Sequence, residues 1–273
     1  MIAHHSSALQ ENPTIYLGDR GFLKRYGNTY TREQIQDKAC EVLEGSELGL
    51  ASGDWVSAMA ISKAVNHEYS FRHCYHSRFL IRVFSRLSNT YLSTRQVQGA
   101  RQQYMSCTTC RFFPDKRQID QDIHIINHFK PGLISVGGDW LDILLAQGEI
   151  NLAREICEEM QSRIYKASVC KVLLTFNLTA QHLSFMECFD FCGVLVPINI
   201  VDRQSEEAGA CLDYVKAERA IYALHCLAGG VIALEPALDY AFNHVGVRAC
   251  IVGARQSMHI NELMSYKALH PRS

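Results

Sequence analysis

Three residues near the end of the chain could bind an anion. Gly253, Ala254 and Arg255 follow the apolar run VRACIV and precede a polar helix start in residues 247–263. Glycine lets a backbone approach a phosphate closely, the amides that open a helix point at it, and arginine adds a planar, permanently charged donor group. We predict an anion site here. The alternative is that Gly253 and Arg255 only end a strand and cap its loop.

Carboxyl and amide side chains stand near the ends of other apolar runs. Asp54 lies in LASGDW and Asp139 in SVGGDW, while Asn177 follows KVLLTF and Asn199 follows VPI. A carboxyl group at a dry strand end can have a raised pKa, which suits acid–base catalysis. Asp54 and Asp139 are therefore the candidate catalytic residues.

Histidines and cysteines also occur at metal-ligand spacing. His124 and His128 in HIINH are one helical turn apart, and Cys107 and Cys110 form a CxxC pair. A zinc site needs further ligands, and a thioredoxin-like CxxC should open a helix after a strand. The sequence offers neither, so we predict no metal site. We interpret the histidines as solvent-facing or capping residues and the cysteines as small buried side chains.

The composition favours a globular protein with a small-molecule ligand. Of the 273 residues, 48% are hydrophobic and 20% charged, and the formal net charge is -1. This charge gives no reason to expect nucleic acid or an anionic membrane as a partner. The 11 cysteines are scattered, and no signal-peptide pattern or apolar run of about 20 residues is seen. We predict a soluble, cytoplasmic protein with reduced thiols.

The elements that must position these residues are clearest after residue 131. Short apolar runs alternate with amphipathic stretches, as in folds whose parallel strands are joined by helices. INLAREICEEMQSR, for example, has apolar residues at helical spacing. Such folds place their chemistry at the C-terminal ends of the strands. The predicted strands lie in PGLISVGGDW, KVLLTFNLT, FCGVLVPINIVD, RAIYALHCLAGG and RACIVGAR.

The first half of the chain is less regular. We predict a strand in YLGDRGFLKRYG, then a helix and a short strand that ends near Asp54. Residues 56–101 are predicted to be mostly helical, because Leu80, Phe84 and Leu87 are spaced i, i+4, i+7. A third strand is predicted in YMSCTTC.

Four of the later segments together resemble the aldo-keto reductase superfamily, whose members are (β/α)8 barrels that transfer hydride from NADPH to carbonyl compounds. NLTAQHL resembles the family's fifth-strand segment Asn-Phe-Ser-x-x-x-Leu, and VPIN resembles the sixth-strand end. ALHCLAGG is similar to the turn after strand seven, and CIVGARQSMHINE to the eighth-strand signature Gly-(Ala/Thr)-Arg-x-x-x-x-Leu-x-Glu. The resemblance implies an α/β fold, a TIM-type (β/α)8 barrel that forms one domain over residues 1–273.

The resemblance also implies an NADP site at the C-terminal strand ends. Two asparagines match positions that orient the nicotinamide amide, and seven further residues match the region that holds the adenosine phosphates. The family's asparagine after the final glutamate is Leu263 here. The matching residues are Asn177 and Asn199 for the amide, and Gly229, Gly230, Gly253, Ala254, Arg255, Met258 and Glu262 for the phosphates.

The family's catalytic Asp, Tyr, Lys and His are not matched. Asp54 fits the second strand only in a shifted register, Thr109 would replace the lysine, and glycine replaces the histidine in SVGGDW, where Asp139 is nearby. Three functions therefore stay open. The first is an NADPH-dependent oxidoreductase on a small carbonyl compound. The second is a cofactor-independent lyase, isomerase or hydrolase on a small anionic metabolite, with Asp54 or Asp139 as acid or base and Arg255 on the anion. The third is a non-catalytic binding subunit.

Overall fold

The computed structural model describes most of the chain from residue 132 onward and shorter segments before it. Within these segments, no helix is both long enough and apolar enough to cross a membrane. The described residues are 15–18, 24–25, 28–29, 34, 48–52, 79–82, 123, 127, 132–167, 171–175, 177, 179–187, 191–201, 206–254 and 256–270.

Within the described residues, eight strands pair in parallel in a curled sheet whose strand order closes on itself. They are β1 (Ile15–Gly18), β2 (Gly49–Ser52), β3 (Phe79–Arg82), β4 (Leu133–Gly137), β5 (Lys171–Thr175), β6 (Gly193–Pro197), β7 (Ala220–Leu224) and β8 (Ala249–Gly253). Neighbours in the chain are neighbours in the sheet, and β1 also pairs with β8, where Gly18 lies opposite Gly253. Lys24–Arg25 and Asn28–Thr29 form a separate antiparallel pair between β1 and β2 in sequence.

Helices connect the strands from β4 onward, as parallel pairing requires, because a parallel neighbour is reached only through a crossover. The helices are α1 (Asp139–Ala146), α2 (Ile150–Ala167), α3 (Ala180–Glu187), α4 (Glu206–Glu218), a 3-10 turn (Ala228–Gly230), α5 (Leu234–Asp239), a π-helical segment (Tyr240–Val245) and α6 (Ser257–Leu269).

Buried residues of the strands fall into two layers. One layer packs strand residues such as Ile134 and Val136 with helix residues such as Leu141 and Ile156. The other contains strand residues only, and because successive side chains of a strand point to opposite faces, it fills the inside of the closed sheet. Its buried members are Tyr16, Ala51, Leu133, Leu173, Leu195, Tyr222, Leu224, Ala249 and Ile251.

The helix α2 shows why the predicted spacing was a sound guide in this half of the chain. Leu152 and Ile156 are buried against the sheet, while Arg154 and Glu158 form an ion pair of 3.3 Å on the solvent side. The apolar stripe with charges elsewhere is the pattern of an amphipathic helix. The predicted helix is confirmed.

The predicted strands are confirmed at seven places and the third strand is wrong. The runs after residue 131 form β4 to β8, and the two N-terminal runs form β1 and β2. The third strand is Phe79–Arg82, inside the stretch predicted to be helical, and it pairs with both β2 and β4. YMSCTTC lies outside the described residues. A buried parallel strand is a continuous apolar run, which periodicity does not distinguish from a helix.

Candidate functional site

The carboxyl ends of the parallel strands lie together at one rim of the sheet, because parallel strands share a direction. In folds of alternating strands and helices, the loops at this rim form the ligand site. Two parts of the rim carry most of the predicted site residues. They are the β4–β5 side, residues 137–142 and 175–182, and the β7–β8 side, residues 225–230 and 253–262.

On the β4–β5 side, β4 ends in two glycines with left-handed backbones. The φ angles of Gly137 and Gly138 are +114° and +101°, and the Gly138 N–H donates to the Thr175 carbonyl at 2.7 Å. A Cβ atom at Gly137 would overlap that same carbonyl oxygen. Only glycine fits at position 137. This position lies in SVGGDW, the segment where the resemblance places the family's histidine.

Both oxygens of the Asp142 carboxylate accept hydrogen bonds from Asn177, which lies two residues after β5. The Asn177 backbone N–H donates to Asp142 Oδ1 at 2.9 Å, and its carboxamide Nδ2 donates to Oδ2 at 2.8 Å. Asn177 is exposed, and its Oδ1 makes no hydrogen bond to another described residue. Asn177, the residue predicted to orient the nicotinamide amide, therefore lies at the rim with its Nδ2 bonded to Asp142.

Asp142 is also in contact with His182, which is 2% exposed. His182 Nε2 lies 2.7 Å from Asp142 Oδ1, and its Nδ1 makes a close hydrogen-bond contact with Thr179 Oγ1. The His182 backbone N–H also donates to the Thr179 carbonyl at 3.0 Å. We call these four residues, Asp142, Asn177, Thr179 and His182, the Asp142 network. It links α1 to the loop between β5 and α3.

The other predicted amide, Asn199, is used differently. It is 6% exposed and lies two residues beyond β6, where its Oδ1 accepts the backbone N–H of Val201 at 3.0 Å. This is the local turn that asparagine side chains commonly form. Asn199 thus shapes the loop after β6 as well as lying at the rim.

The β7–β8 side is built mainly from backbone. Four residues after β7 have left-handed φ angles: His225 at +56°, Ala228 at +45°, Gly229 at +74° and Gly230 at +95°. A Cβ atom on Gly229 or Gly230 would meet nothing within 4 Å. The loop therefore leaves space above its two glycines, in contrast to the close contact at Gly137.

The end of β8 leads into α6 through residues 253–256. Gly253 is exposed and Ala254 is buried, and Gln256, which precedes α6, makes no side-chain capping bond. The first amides of a helix have no partner within the helix and favour negative charge. The side chain of Met258 is 56% exposed, and Glu262 is exposed on the next turn of α6.

Several predicted residues lie outside the described part of the chain. Arg255 and Asp54 are among them, as are both the CxxC and the HIINH histidines. Asp139 is the first residue of α1, directly after the two glycines. Thr109 also lies outside the described residues, and the third strand of the sheet is Phe79–Arg82. Among the described residues, no three His, Cys, Asp or Glu side chains are grouped as metal ligands.

Sequence reasoning missed Asp142 and His182. Asp142 lies 35 positions before Asn177, and no local motif signals a contact over that separation. His182 lies inside NLTAQHL, which was singled out only for its asparagine, threonine and leucine.

Solved structures of similar shape are aldo-keto reductases. A protein from Pseudomonas aeruginosa assigned to that family has a TM-score of 0.62 at 12% identity over 94% of this chain and 89% of its own. The holo form of an aldo-keto reductase from Bacillus halodurans has a TM-score of 0.57 at 12% identity, covering 94% of this chain and 86% of that one. A thermostable aldo-keto reductase in complex with the inhibitor epalrestat reaches 0.60 at 11% identity, covering 96% and 92%.

The TM-scores show a shared fold. The resemblance predicted from the four motifs is confirmed at that level. No protein-family model matches the sequence. No curated protein matches it either.

Proposed function

We propose that the chain is an NADPH-dependent oxidoreductase that acts on a small carbonyl compound. The observation that carries the proposal is the joint presence, at one rim of an aldo-keto-reductase-like fold, of an amide bonded to Asp142 after β5, open space at the two glycines after β7 and an exposed glycine at the end of β8. The proposal includes a complete TIM-type (β/α)8 barrel that forms one domain over residues 1–273, in a cytoplasmic protein.

The residues of the β7–β8 side fit a dinucleotide phosphate. Gly229 and Gly230 leave space where side chains would otherwise stand, and Gly253 at the end of β8 is exposed. α6 opens nearby with amides that favour an anion. Arg255 supplies the charged fork, and Ala254, Met258 and Glu262 complete the adenosine end in the proposal.

At the other end of the cofactor, Asn177 and Asn199 orient the nicotinamide amide. The bound cofactor supplies the hydride for carbonyl reduction. What the chain must add is orientation and a proton for the carbonyl oxygen, since positioned donors lower the barrier of such a transfer. Asp139, which opens α1 beside the glycines of β4, and Asp54, after β2, are the proposed acid–base groups.

Titration with NADPH, followed by fluorescence or calorimetry, tests the proposal. We expect saturable binding in the micromolar range, and weaker binding of NADH, because Arg255 would meet the additional phosphate. Changing Arg255 to alanine should weaken NADPH binding by roughly 10- to 100-fold, the value of a charge-assisted hydrogen bond.

Arg248 provides the matched control for this variant. It lies exposed directly before β8, at the opposite end of the strand from Arg255, so Arg248→Ala should leave NADPH binding unchanged. Absence of NADPH binding at high micromolar concentration would remove the proposed function. Equal losses in the two variants would remove the phosphate assignment.

A further inference from the structure

We propose that Asp142 is a positioning residue that fixes the Asn177 carboxamide for the cofactor. The inference rests on the proposed function, because it assumes that Asn177 meets the nicotinamide amide. Asp142 was not among the residues that the family resemblance marked. Its assignment comes from the hydrogen bonds of the Asp142 network.

The two hydrogen bonds from Asn177 to Asp142 determine which way the carboxamide faces. Nδ2 donates to Oδ2 at 2.8 Å, and the two polar atoms of a carboxamide lie in one plane, on opposite sides of the Cβ–Cγ bond. Oδ1 must therefore face away from Asp142. The second bond, from the backbone N–H to Oδ1 of Asp142 at 2.9 Å, fixes the loop itself, so the orientation of the carboxamide is set before any ligand arrives.

The Asp142 carboxylate is also in contact with His182, which limits its movement away from Asn177. His182 Nε2 lies 2.7 Å from Asp142 Oδ1, and the two side chains are 3% and 20% exposed. Thr179 in turn contacts His182 Nδ1. A side chain that is already ordered loses less entropy when a ligand binds, so preorganisation of Asn177 raises affinity at the nicotinamide end only.

The test compares a whole cofactor with its phosphate half. NADPH contains the nicotinamide, whereas 2′,5′-ADP contains only the adenosine phosphates. Asp142→Ala should weaken NADPH binding roughly two- to tenfold, the cost of ordering the Asn177 side chain when the ligand binds, and leave 2′,5′-ADP binding unchanged. A loss of general stability alone would not separate the two ligands in this way.

Four further variants make the result specific. Asn177→Ala should give at least the same loss for NADPH, and the double variant should lose no more than Asn177→Ala alone, because Asp142 acts only through Asn177. Asp142→Asn retains one acceptor oxygen and should give an intermediate loss. Asp213→Asn is the control, since Asp213 is exposed on α4 and its substitution makes the same charge change; it should alter neither affinity.

Each outcome separates the inference from the function on which it rests. If the unmodified chain binds neither NADPH nor 2′,5′-ADP, the proposed function is wrong and the inference with it. If it binds NADPH but Asp142→Ala binds equally well, or if the losses add in the double variant, only the positioning role is wrong. Should Asp142→Ala fail to fold in a melting experiment, Asp142→Asn decides: a loss confined to NADPH supports the role, and an equal loss for both ligands overturns it.

Discussion

The loops on the β4–β5 side and the β7–β8 side of the rim are ordered by different kinds of contact. On the β4–β5 side, Gly138 bonds to the carbonyl of Thr175, and the side chains of the Asp142 network connect α1 to the loop after β5. On the β7–β8 side, Gly229 and Gly230 have nothing near the position of a Cβ atom.

The difference matters for binding. A loop closed by its own hydrogen bonds keeps its polar atoms in one arrangement, which suits recognition of a small planar amide. The loop after β7 is closed by backbone hydrogen bonds, such as that from the Gly230 N–H to the Leu227 carbonyl at 2.8 Å, and it leaves space above its glycines, which suits a phosphate. Glycine occurs on both sides, but for different reasons: close contact at Gly137 and left-handed backbone without close contact at Gly229 and Gly230.

The largest expected effect is that of Gly137→Ala. Its Cβ atom would overlap the Thr175 carbonyl oxygen, and alanine is strained at a φ of +114°. Because the backbone of β4 or β5 must move, we expect a loss of roughly 2–4 kcal/mol in the free energy of unfolding. Denaturant unfolding followed by circular dichroism measures the loss.

Gly209 in α4 provides the control. A Cβ atom there meets nothing within 4 Å and its backbone is not left-handed, so Gly209→Ala should stabilise the protein by about 0.5–1 kcal/mol. The account of β4 would be wrong if Gly137→Ala unfolded at the same denaturant concentration as the unmodified chain.

Gly229→Ala and Gly230→Ala should each cost less. Both positions require left-handed φ, which costs an alanine about 1–2 kcal/mol, but neither adds a steric overlap. We expect a smaller loss of unfolding free energy than at Gly137, together with weaker binding of 2′,5′-ADP, because a methyl group occupies the open space. A stability loss equal to that of Gly137→Ala would show that the β7–β8 side is packed as closely as the β4–β5 side.

Most strands of the fold could be predicted because each has a local signal in the sequence. Each run from β4 to β8 is short, apolar and bounded by polar or glycine residues, so length and boundaries identify it. β3 could not be predicted this way, because Leu80 in Phe79–Arg82 also fits a helical spacing with Phe84 and Leu87. The pairing of β3 with β2 and β4 decides the matter, and pairing is not a local property of the sequence.

The residues of the candidate site also divide into those that the sequence indicates and those that only the folded structure reveals. Gly253 could be found from its position after an apolar run, since such a glycine allows the close approach of a ligand, whereas Gly229 and Gly230 were found through the resemblance of ALHCLAGG to the family's turn after strand seven. Asp142 was not found, since an aspartate on a helix is ordinarily interpreted as a solvent-facing residue and its partner Asn177 is distant in sequence. Contacts between side chains of separate loops depend on the assembled sheet.

The amino end of β5 and β6, opposite the rim, extends the comparison to a third place. Cys192 precedes β6, and its Sγ–H donates to the Val172 carbonyl at 2.9 Å. Burial raises the pKa of the Cys192 thiol to about 11, although Lys171 opposes the shift. Because the thiolate is the reactive form, iodoacetamide at pH 8 should modify Cys192 at least about tenfold more slowly in the folded chain than in denaturant, as peptide mass spectrometry can measure.

The rate in the folded chain should rise as the pH approaches 11, since the raised pKa delays formation of the thiolate. Equal rates in the folded and unfolded chain would mean that the fold does not shield the Cys192 thiol at this end of the strand pair.

The smallest expected effect concerns Thr175, the residue at which β4, β5 and β6 meet. Its carbonyl accepts the Gly138 N–H, and its buried hydroxyl donates to the Leu195 carbonyl at 2.6 Å. Thr175→Val keeps the shape and removes only the hydroxyl bond, so we expect a loss of about 1 kcal/mol in unfolding free energy. Thr175→Ser, which keeps the hydroxyl, separates this bond from the packing of the methyl group. If valine proved as stable as threonine, the order of the β4–β5 side would have to come from the Gly138 contact and the Asp142 network alone.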